Sequence, residues 1–252
     1  MFYQEYLPAP ALADTIACFW KFVAPADLPE PVEHLAPPDG CVSLFLWRND
    51  RFGMRHVGFV KPSVSLLKST LLPDSVYVGI RFLPGAFSCF FTTPIESLPA
   101  DAWLEEETPF HTLLEQLHPD FEDFAALEAL LLAMKRQNPD PEVAKAVQRM
   151  LASEGQCKIS DIIREAYISE RQLQKRFRKE VGLSMKALAR VLRLRIALVQ
   201  MVLHEHNSLE VSFNNGYYDQ AHFLHECQLF AQQGPAIIQA YLRSIQHGSI
   251  HW

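Results

Sequence analysis

Nine basic side chains lie between residues 171 and 195, and the same stretch contains one acidic residue, Glu180. Nine positive charges and one negative charge make this segment +8 in a chain whose overall formal charge is −6. Guanidinium and ammonium groups bind phosphates and the acceptor atoms of guanine, so their concentration indicates a site for a polyanion. The basic residues are Arg171, Lys175, Arg176, Arg178, Lys179, Lys186, Arg190, Arg193 and Arg195.

The charge of the whole chain hides this site because the two halves differ in sign. Residues 1–141 contain 9 Lys and Arg against 19 Asp and Glu, which gives −10. Residues 142–252 contain 14 against 10, which gives +4. The sequence therefore places a polyanion-binding function in the second half of the chain.

The segment SERQLQKRFRKEVG, which begins at Ser169, has the pattern of a helix with one buried and one basic face. Leu173 and Phe177 mark the buried face, and a rotation of 100° per residue places Arg171, Lys175 and Arg178 opposite them. Long donors on an exposed face suit base edges and phosphates. The predicted DNA contacts of this helix are Ser169, Arg171, Gln172, Gln174, Lys175, Arg178 and Lys179.

An internal repeat with an offset of 50 residues relates the segments that start at Lys158 and Ser208. Each copy predicts a short helix, a turn with an N-cap residue (Ser169 or Asp219) and a second helix. The second helix of the second copy carries no Lys or Arg among its exposed positions. Its predicted DNA contacts are Gln220, His222, His225 and Gln228.

The segment between the two copies, residues 184–205, contains no Gly or Pro and predicts one helix of roughly 20 residues, about 30 Å long. Since a turn of DNA is about 34 Å, two recognition helices on such a strut would reach successive major grooves. Double-stranded DNA is therefore the predicted partner.

The first hundred residues predict β-strands. Residues 37–40 (PPDG) form a turn signal before the apolar run CVSLFLW, and residues 76–82 alternate strictly until Pro84 and Gly85. A barrel or sandwich, with a cupin-like barrel as one form, is favoured over a parallel sheet. From about residue 100 the chain becomes acidic and leucine-rich, and NPDP at 138–141 interrupts an amphipathic helix. We expect an α+β chain with domains at 1–138 and 142–252, the second all-α.

These residues resemble the AraC/XylS family of bacterial transcription regulators, whose C-terminal module has two helix-turn-helix motifs joined by a long helix. The resemblance implies a β-rich N-terminal domain for effector binding or dimerisation, and the segments HLAPPDGCVSLFLW and GIRFLPGAFSCFFTTPIESL are similar to one AraC-type sensor subgroup. It implies a small-molecule effector, a second copy of the chain and RNA polymerase as further partners. The matching residues are Ile159, Asp161, Ile162, Ser169, Arg171, Leu173, Gln174, Arg176, Phe177, Gly182, Ser184, Arg193, Arg195, Ala197, Gly216, Tyr217, Asp219, Gln220, His222, Phe223 and Pro235.

The second motif departs from the family pattern where the family has cations. His225 replaces an Arg and Gln228 replaces a Lys. The departures predict weaker or pH-sensitive DNA contacts there, since a histidine gains its charge only near pH 6. A degenerate regulator that acts through protein contacts remains an alternative.

Two sensor residues are candidates for ligand binding, Asp39 and Arg81. Alternation places Arg81 on the face opposite Val78 and Ile80, where a solvent-facing or ion-paired guanidinium is the simpler interpretation. Asp39 is also expected to cap its turn. The apolar stripe of the acidic segment is expected in a core or a dimer contact, and the dimer contact is favoured; it comprises Leu127, Leu130, Leu131 and Met134.

Other chemistry has little support in the sequence. The five cysteines contain no C-x-x-C pair and are expected to be reduced, and His222 and His225 lack a further ligand in sequence, so neither a metal nor a cofactor is predicted. We find no catalytic motif, which disfavours the alternative of an enzyme with an accessory helical module. No apolar run reaches the roughly 18 residues that span a bilayer, so a cytoplasmic protein without membrane contact is expected.

Overall fold

The computed structural model describes residues 1–98, 124–203, 208–231 and 234–249 of the chain. Its first part is built on β-strands and its second part on helices, which confirms the α+β prediction. The strands are β1 (Phe2–Tyr6), β2 (Ile16–Ala24), β3 (Val32–Ala36), β4 (Val42–Asn49), β5 (Met54–Val60), β6 (Leu67–Leu71), β7 (Ser75–Phe82) and β8 (Gln246–His247). Short 3-10 turns occupy Pro10–Leu12, Asp50–Phe52, Phe87–Cys89 and Ile95–Ser97.

Six strands form one sheet in the order β5-β4-β7-β2-β1-β8, and β3 pairs with β6 in a separate ribbon. Every pair is antiparallel except β1 with β8. Within the described residues the sheet stays open, so the arrangement is sandwich-like rather than a closed barrel. The predicted turns are present: Gly40 and Gly85 have φ values of 75° and 86°, where a side chain would be strained.

One face of the sheet holds the N-terminal core. Phe19, Leu44 and Ile80 lie side by side on neighbouring strands and are all fully buried. Helix α1 (Ala125–Met134) packs on this core through Leu127 and Leu131. The predicted dimer contact on this stripe is therefore wrong: Leu127 and Leu131 are buried within the chain, and Leu130 and Met134 pack against the same core.

Seven further helices follow within the described residues, where the sequence predicts a helical second part. They are α2 (Pro141–Ala152), α3 (Ile159–Glu165), α4 (Glu170–Val181), α5 (Met185–Leu203), α6 (Ser208–Asn214), α7 (Gln220–Ala231) and α8 (Pro235–Arg243). None of the helices in the described ranges is long and apolar enough to cross a membrane. The 19 residues of α5 correspond to about 28 Å, close to the predicted strut.

Helix α5 is the element on which both repeat copies pack. Its residues Leu188 and Leu192 share a core with the first copy, which contributes Leu173 and Phe177. Further along α5, a second core contains Leu194 and Leu198 together with Phe223 and Cys227 of the second copy. The relative position of the two copies is therefore set by one helix.

The chain returns to the sheet after α8, which the sequence did not predict. Strand β8 pairs with β1, where the amide of Gln246 donates to the carbonyl oxygen of Met1 at 3.0 Å and the amide of Gly248 donates to that of Tyr3 at 2.7 Å. The amide of Glu5 donates to the carbonyl oxygen of Ser249 at 2.8 Å. These bonds join the end of the helical part to the first strand.

Gly155 lies where the end of α2 closely approaches α5. Gly53 has the same left-handed backbone in open space and serves as the comparison. Gly155 follows α2 at φ 75°, and a Cβ there would lie 2.3 Å from the carbonyl oxygen of Ala189. Gly53 has φ 62° and nothing within 4 Å of its Cβ position. We expect Gly53→Ala to cost about 1 kcal/mol of unfolding free energy and Gly155→Ala roughly 1–3 kcal/mol more, in urea denaturation. Equal costs would contradict the close approach.

Candidate nucleic-acid interface and interdomain cavity

The first recognition helix, α4, begins with a capping box. Ser169 Oγ accepts a hydrogen bond from the amide of Gln172 at 3.3 Å, and Gln172 Oε1 accepts one from the amide of Ser169 at 3.1 Å. The helix ends at Gly182, whose φ is 79°. Two of the predicted DNA contacts, Ser169 and Gln172, are thus also the residues that fix the first turn of the helix.

The face of α4 opposite Leu173 and Phe177 is exposed, as predicted. Arg171, Lys175 and Arg178 are exposed on it, and none of their side chains makes an ion pair or hydrogen bond among the described residues. The flanking donors are engaged: Gln174 Nε2 donates to Glu170 Oε1 at 2.8 Å, and Lys179 Nζ lies 3.2 Å from Glu180 Oε1. The unpaired cations of this helix are therefore on one face.

Three arginines of the basic segment do not belong to this face. Arg190 makes two hydrogen bonds, of 2.9 and 2.7 Å, to the buried carboxylate of Glu226 on α7. The guanidinium of Arg193 lies 5.7 Å from the ring centroid of Tyr217, and Arg195 lies 3.6 Å from Glu5 on the sheet. The charge count from the sequence therefore overstates the polyanion-binding surface, because these three residues hold other elements to α5.

The corresponding face of α7 carries neutral and apolar side chains. Gln220, His225 and Gln228 are exposed. His222 is half-buried, and its Nδ1 accepts a hydrogen bond from the amide of Tyr218 at 3.3 Å. Asp219 caps the helix, since its Oδ1 accepts a hydrogen bond from the amide of His222 at 2.7 Å. In the described part of the chain no group of three potential ligands could hold a metal ion.

The two sensor candidates, Asp39 and Arg81, lie together. Arg81 Nε is 2.9 Å from Asp39 Oδ2, and the other oxygen of Asp39 accepts a hydrogen bond from the amide of Cys41 at 2.9 Å. Asp39 therefore caps its turn as predicted, and Arg81 is ion-paired as predicted. Arg81 is not solvent-facing, because the helical part covers this face of the sheet and leaves the residue 8% exposed.

Glu5 is the partner of Arg81 that the sequence did not reveal. Its side chain is fully buried, and its Oε1 accepts hydrogen bonds from Arg81 Nη1 at 2.5 Å and from the hydroxyl of Tyr3 at 2.6 Å. Burial raises the pKa of the Tyr3 hydroxyl above its usual range and raises the pKa of the nearby Cys18 thiol to about 12. The alternation of side chains along β1 predicts which face of the sheet Glu5 occupies. It does not predict that Arg81 lies beside it.

A cavity of about 420 Å³ lies beside this charge cluster, between the sheet, the β3–β6 ribbon and the helical part. Asp39 and Arg81 both line it, and α5 contributes Arg195, Leu198, Val199 and Val202. The lining also includes Tyr3, Trp20, Phe22, His34, Phe45, Phe59, Lys61, Tyr77, Leu242, Ile245 and His247. The volume falls in the range of small-molecule sites, and the lining is apolar with a few polar groups.

Comparison with known proteins assigns two regions of the chain. Residues 162–239 match a family model described as a helix-turn-helix domain, and residues 4–101 match a model described as a domain of unknown function, DUF6597. No curated protein matches the chain.

Solved structures similar to the chain include three of ToxT from Vibrio cholerae. ToxT bound to (E)-4-(8-methylnaphthalen-1-yl)but-3-enoic acid is 11% identical with a TM-score of 0.47, over 96% of this chain and 100% of that one. ToxT bound to an unsaturated fatty acid is 11% identical with a TM-score of 0.46, over 90% and 98%. A third ToxT structure is 11% identical with a TM-score of 0.46, over 84% and 94%.

The helix-turn-helix match covers the same part of the chain as the two repeated helix pairs, α3–α4 and α6–α7. The helix-turn-helix region predicted from the sequence is confirmed, and the structure contains both predicted helix pairs. A helix-turn-helix match indicates DNA binding by residues 162–239.

His34 connects the ribbon to the second helix-turn-helix and makes stability depend on pH. Its Nδ1 is hydrogen-bonded to the hydroxyl of Tyr241 on α8, and burial lowers its pKa to about 4. The unfolded chain therefore binds more protons at this residue, and the stability lost grows as the pH falls from about 6.5 towards 4.

We expect His34 to account for about 2 kcal/mol of lost unfolding free energy between pH 7 and pH 5. Urea denaturation at both pH values gives the change in unfolding free energy between pH 7 and pH 5 for wild type and for His34→Gln. The difference between these two changes is the contribution of His34, because the other titrating groups are the same in both proteins. If His34→Gln keeps the pH dependence of wild type, His34 is not the buried neutral group described.

Proposed function

We propose that this chain regulates transcription by sequence-specific binding of DNA, mainly through α4, under the control of a small molecule in the interdomain cavity. The observation that carries the DNA part is the exposed face of α4, where Arg171, Lys175 and Arg178 have no partner in the described residues. Cations without intramolecular partners lose no ion pair when they bind phosphate or guanine. Gln174 would need to leave Glu170 to bind a base.

The two repeat copies contribute unequally in this proposal. At an offset of 50 residues, Arg171 corresponds to Ala221, Lys175 to His225 and Arg178 to Gln228. The second copy thus keeps the fold and lacks the cations that release counterions from DNA. We infer that α4 supplies most of the affinity and that Gln220, His222, His225 and Gln228 adjust the second half-site.

The cavity supports control by an effector because both parts of the chain form its walls. Four residues of α5, from Arg195 to Val202, line it, and the same helix carries both helix-turn-helix cores. A ligand that prefers one position of α5 would change the relative position of the two recognition helices. The division into domains 1–138 and 142–252 is part of this proposal, with the cavity between them.

Backbone pairing gives the second helix-turn-helix a further connection to the sensor part. Strand β8 is joined to β1, and the amide of Leu66, before β6, donates to the carbonyl oxygen of Phe230 on α7 at 2.7 Å. These bonds would transmit a change in the sheet or ribbon to α7 and α8. Homodimerisation and contact with RNA polymerase stay predictions from the family resemblance.

A second candidate function is regulation through protein contacts by the second motif. Phe213, Leu224 and Leu229 are exposed there, at 66%, 40% and 52%. Exposed apolar side chains on both helices of a motif whose second helix lacks cations favour a protein partner over DNA at this motif. In this alternative α4 alone would bind DNA.

The regulator proposal is tested with fragments from the gene's own upstream region. We expect wild type to bind one of them with an affinity that falls steeply with salt. Arg171→Ala and Lys175→Ala should each weaken binding about tenfold or more and reduce the salt slope by about 1. Wild-type binding that shows no salt slope and is no tighter than that of either variant would refute the proposal.

Equivalent positions in the two copies test the asymmetry. Arg178→Ala should weaken binding about tenfold and lower the salt slope, whereas Gln228→Ala should weaken it less than about threefold with the slope unchanged. Fluorescence anisotropy at two salt concentrations measures both quantities. Equal losses for the two variants would mean that both helices carry the affinity.

A further inference from the structure

The exposed face of α7 differs in chemistry from the corresponding face of α4. In α7 two apolar residues, Ala221 and Leu224, lie on it together with His225 and Gln228. At the offset of 50 residues Leu224 corresponds to Gln174 of α4, and the α7 segment QAHFLHECQLFA contains no Lys or Arg. An apolar side chain therefore takes the place of a hydrogen-bonding one on this face.

The rotation of α7 about its axis is fixed from its buried side. Phe223 and Cys227 are fully buried in the core that they share with α5. On the same side, the buried carboxylate of Glu226 accepts two hydrogen bonds from Arg190 on α5, of 2.9 and 2.7 Å. Leu224 stays 40% exposed, so the fold leaves its side chain available to a partner.

Leu224 lies in the half of α7 that meets base edges in a helix-turn-helix. The helix begins at Gln220, directly after its cap Asp219, and Leu224 is its fifth residue. The N-terminal residues of a recognition helix are the ones that contact base edges in the major groove. Leu229 is also exposed, at 52%, but it lies towards the C-terminal end of the helix. Position along α7 therefore distinguishes its two exposed leucines.

The major groove offers one apolar group to such a side chain, the C5-methyl group of thymine. The other groove atoms that distinguish the base pairs are hydrogen-bond donors and acceptors. A leucine against O6 or N7 of guanine would displace water and supply no donor, which leaves a polar atom unpaired. A leucine at this position therefore favours thymine.

The neighbouring glutamine suits the other base of the same pair. Gln228 is four residues after Leu224 and is exposed, so the two side chains are neighbours on the helix surface. A glutamine amide pairs with N6 and N7 of adenine. A leucine and a glutamine on one face thus complement A·T pairs.

We propose that α7 reads A·T pairs in the second half-site and that Leu224 packs against the C5-methyl group of a thymine there. The inference rests on the proposed function, in which α4 supplies most of the affinity, and adds the base chemistry that the second copy recognises. Contacts with methyl groups neutralise no phosphate, so they discriminate between bases without changing the salt dependence of binding. A recognition helix without Lys or Arg is suited to this role.

Uracil tests the methyl group directly, because it pairs as thymine does and lacks the C5-methyl group. The upstream fragment that wild type binds is prepared with uracil in place of thymine in one block of about 10 base pairs at a time, which is one turn of DNA. Fluorescence anisotropy measures the affinity of the full chain for each form. We expect uracil in one block to weaken wild-type binding about fourfold, the effect of one buried methyl group, with the salt slope unchanged.

Leucine variants assign this effect to α7. Leu224→Ala should bind the thymine and uracil forms of that block equally, and should bind the uracil form as tightly as wild type does, which shows that the variant is folded. Leu224→Met should keep the preference for thymine, because methionine is apolar and of similar volume. Leu229→Ala is the matched control, because Leu229 is the other exposed leucine of α7, and it should keep the fourfold preference.

The remaining outcomes decide against parts of the proposal. Loss of the preference in both alanine variants, or in neither, would refute the role of Leu224, and loss in Leu224→Met would refute an apolar contact as its cause. Salt-dependent binding that no uracil block weakens would refute methyl readout and favour a protein partner for this face, with the proposed function intact. Wild type that binds no upstream fragment would refute the proposed function and this inference together.

Discussion

A carboxylate with no access to water has to be neutralised where it lies, and in this chain the carboxylate of Glu5 on β1 imposes that constraint. It is met from three directions: by Arg81 on β7, by the hydroxyl of Tyr3, and by Arg195 on α5 at the longer distance of 3.6 Å. Removal of one partner from a buried pair commonly costs about 3–5 kcal/mol, because the remaining charge stays buried. The strands and α5 are therefore held in one arrangement by a requirement that hydrophobic packing alone would not impose.

Helix α5 links the buried carboxylate of Glu5 to the helix-turn-helix part of the chain. Its residues share cores with both helix-turn-helix copies, its Arg190 is paired with Glu226 on α7, and its Arg195 reaches the sheet. Part of the same helix forms a wall of the cavity. One rigid element thus touches the cavity and the cores of both recognition helices, so the proposed effector control would act through this linker helix.

The two helix-turn-helix copies share a scaffold and differ in their surfaces. Leu173 and Phe177 of the first copy correspond to Phe223 and Cys227 of the second, and all four are fully buried. These positions share buried cores with α5, where apolar side chains pack without leaving a polar group unpaired. The exposed positions are free of that requirement, so Lys175 in one copy corresponds to His225 in the other without a change of fold.

The sequence by itself determined the elements and the repeat. Helix periodicity, the Ser169 cap and the alternation along β7 are local properties, so the helix-turn-helix pairs, the strut helix and the exposed face of α4 could be predicted. The tertiary structure decided which charges are free. Arg190, Arg193 and Arg195 look like their neighbours in sequence, yet they meet Glu226, Tyr217 and Glu5 in the fold. The tertiary structure also decided the cavity and the burial of Leu127 and Leu131. Periodicity predicts which face of a helix or strand a side chain occupies, and only long-range packing determines what covers that face.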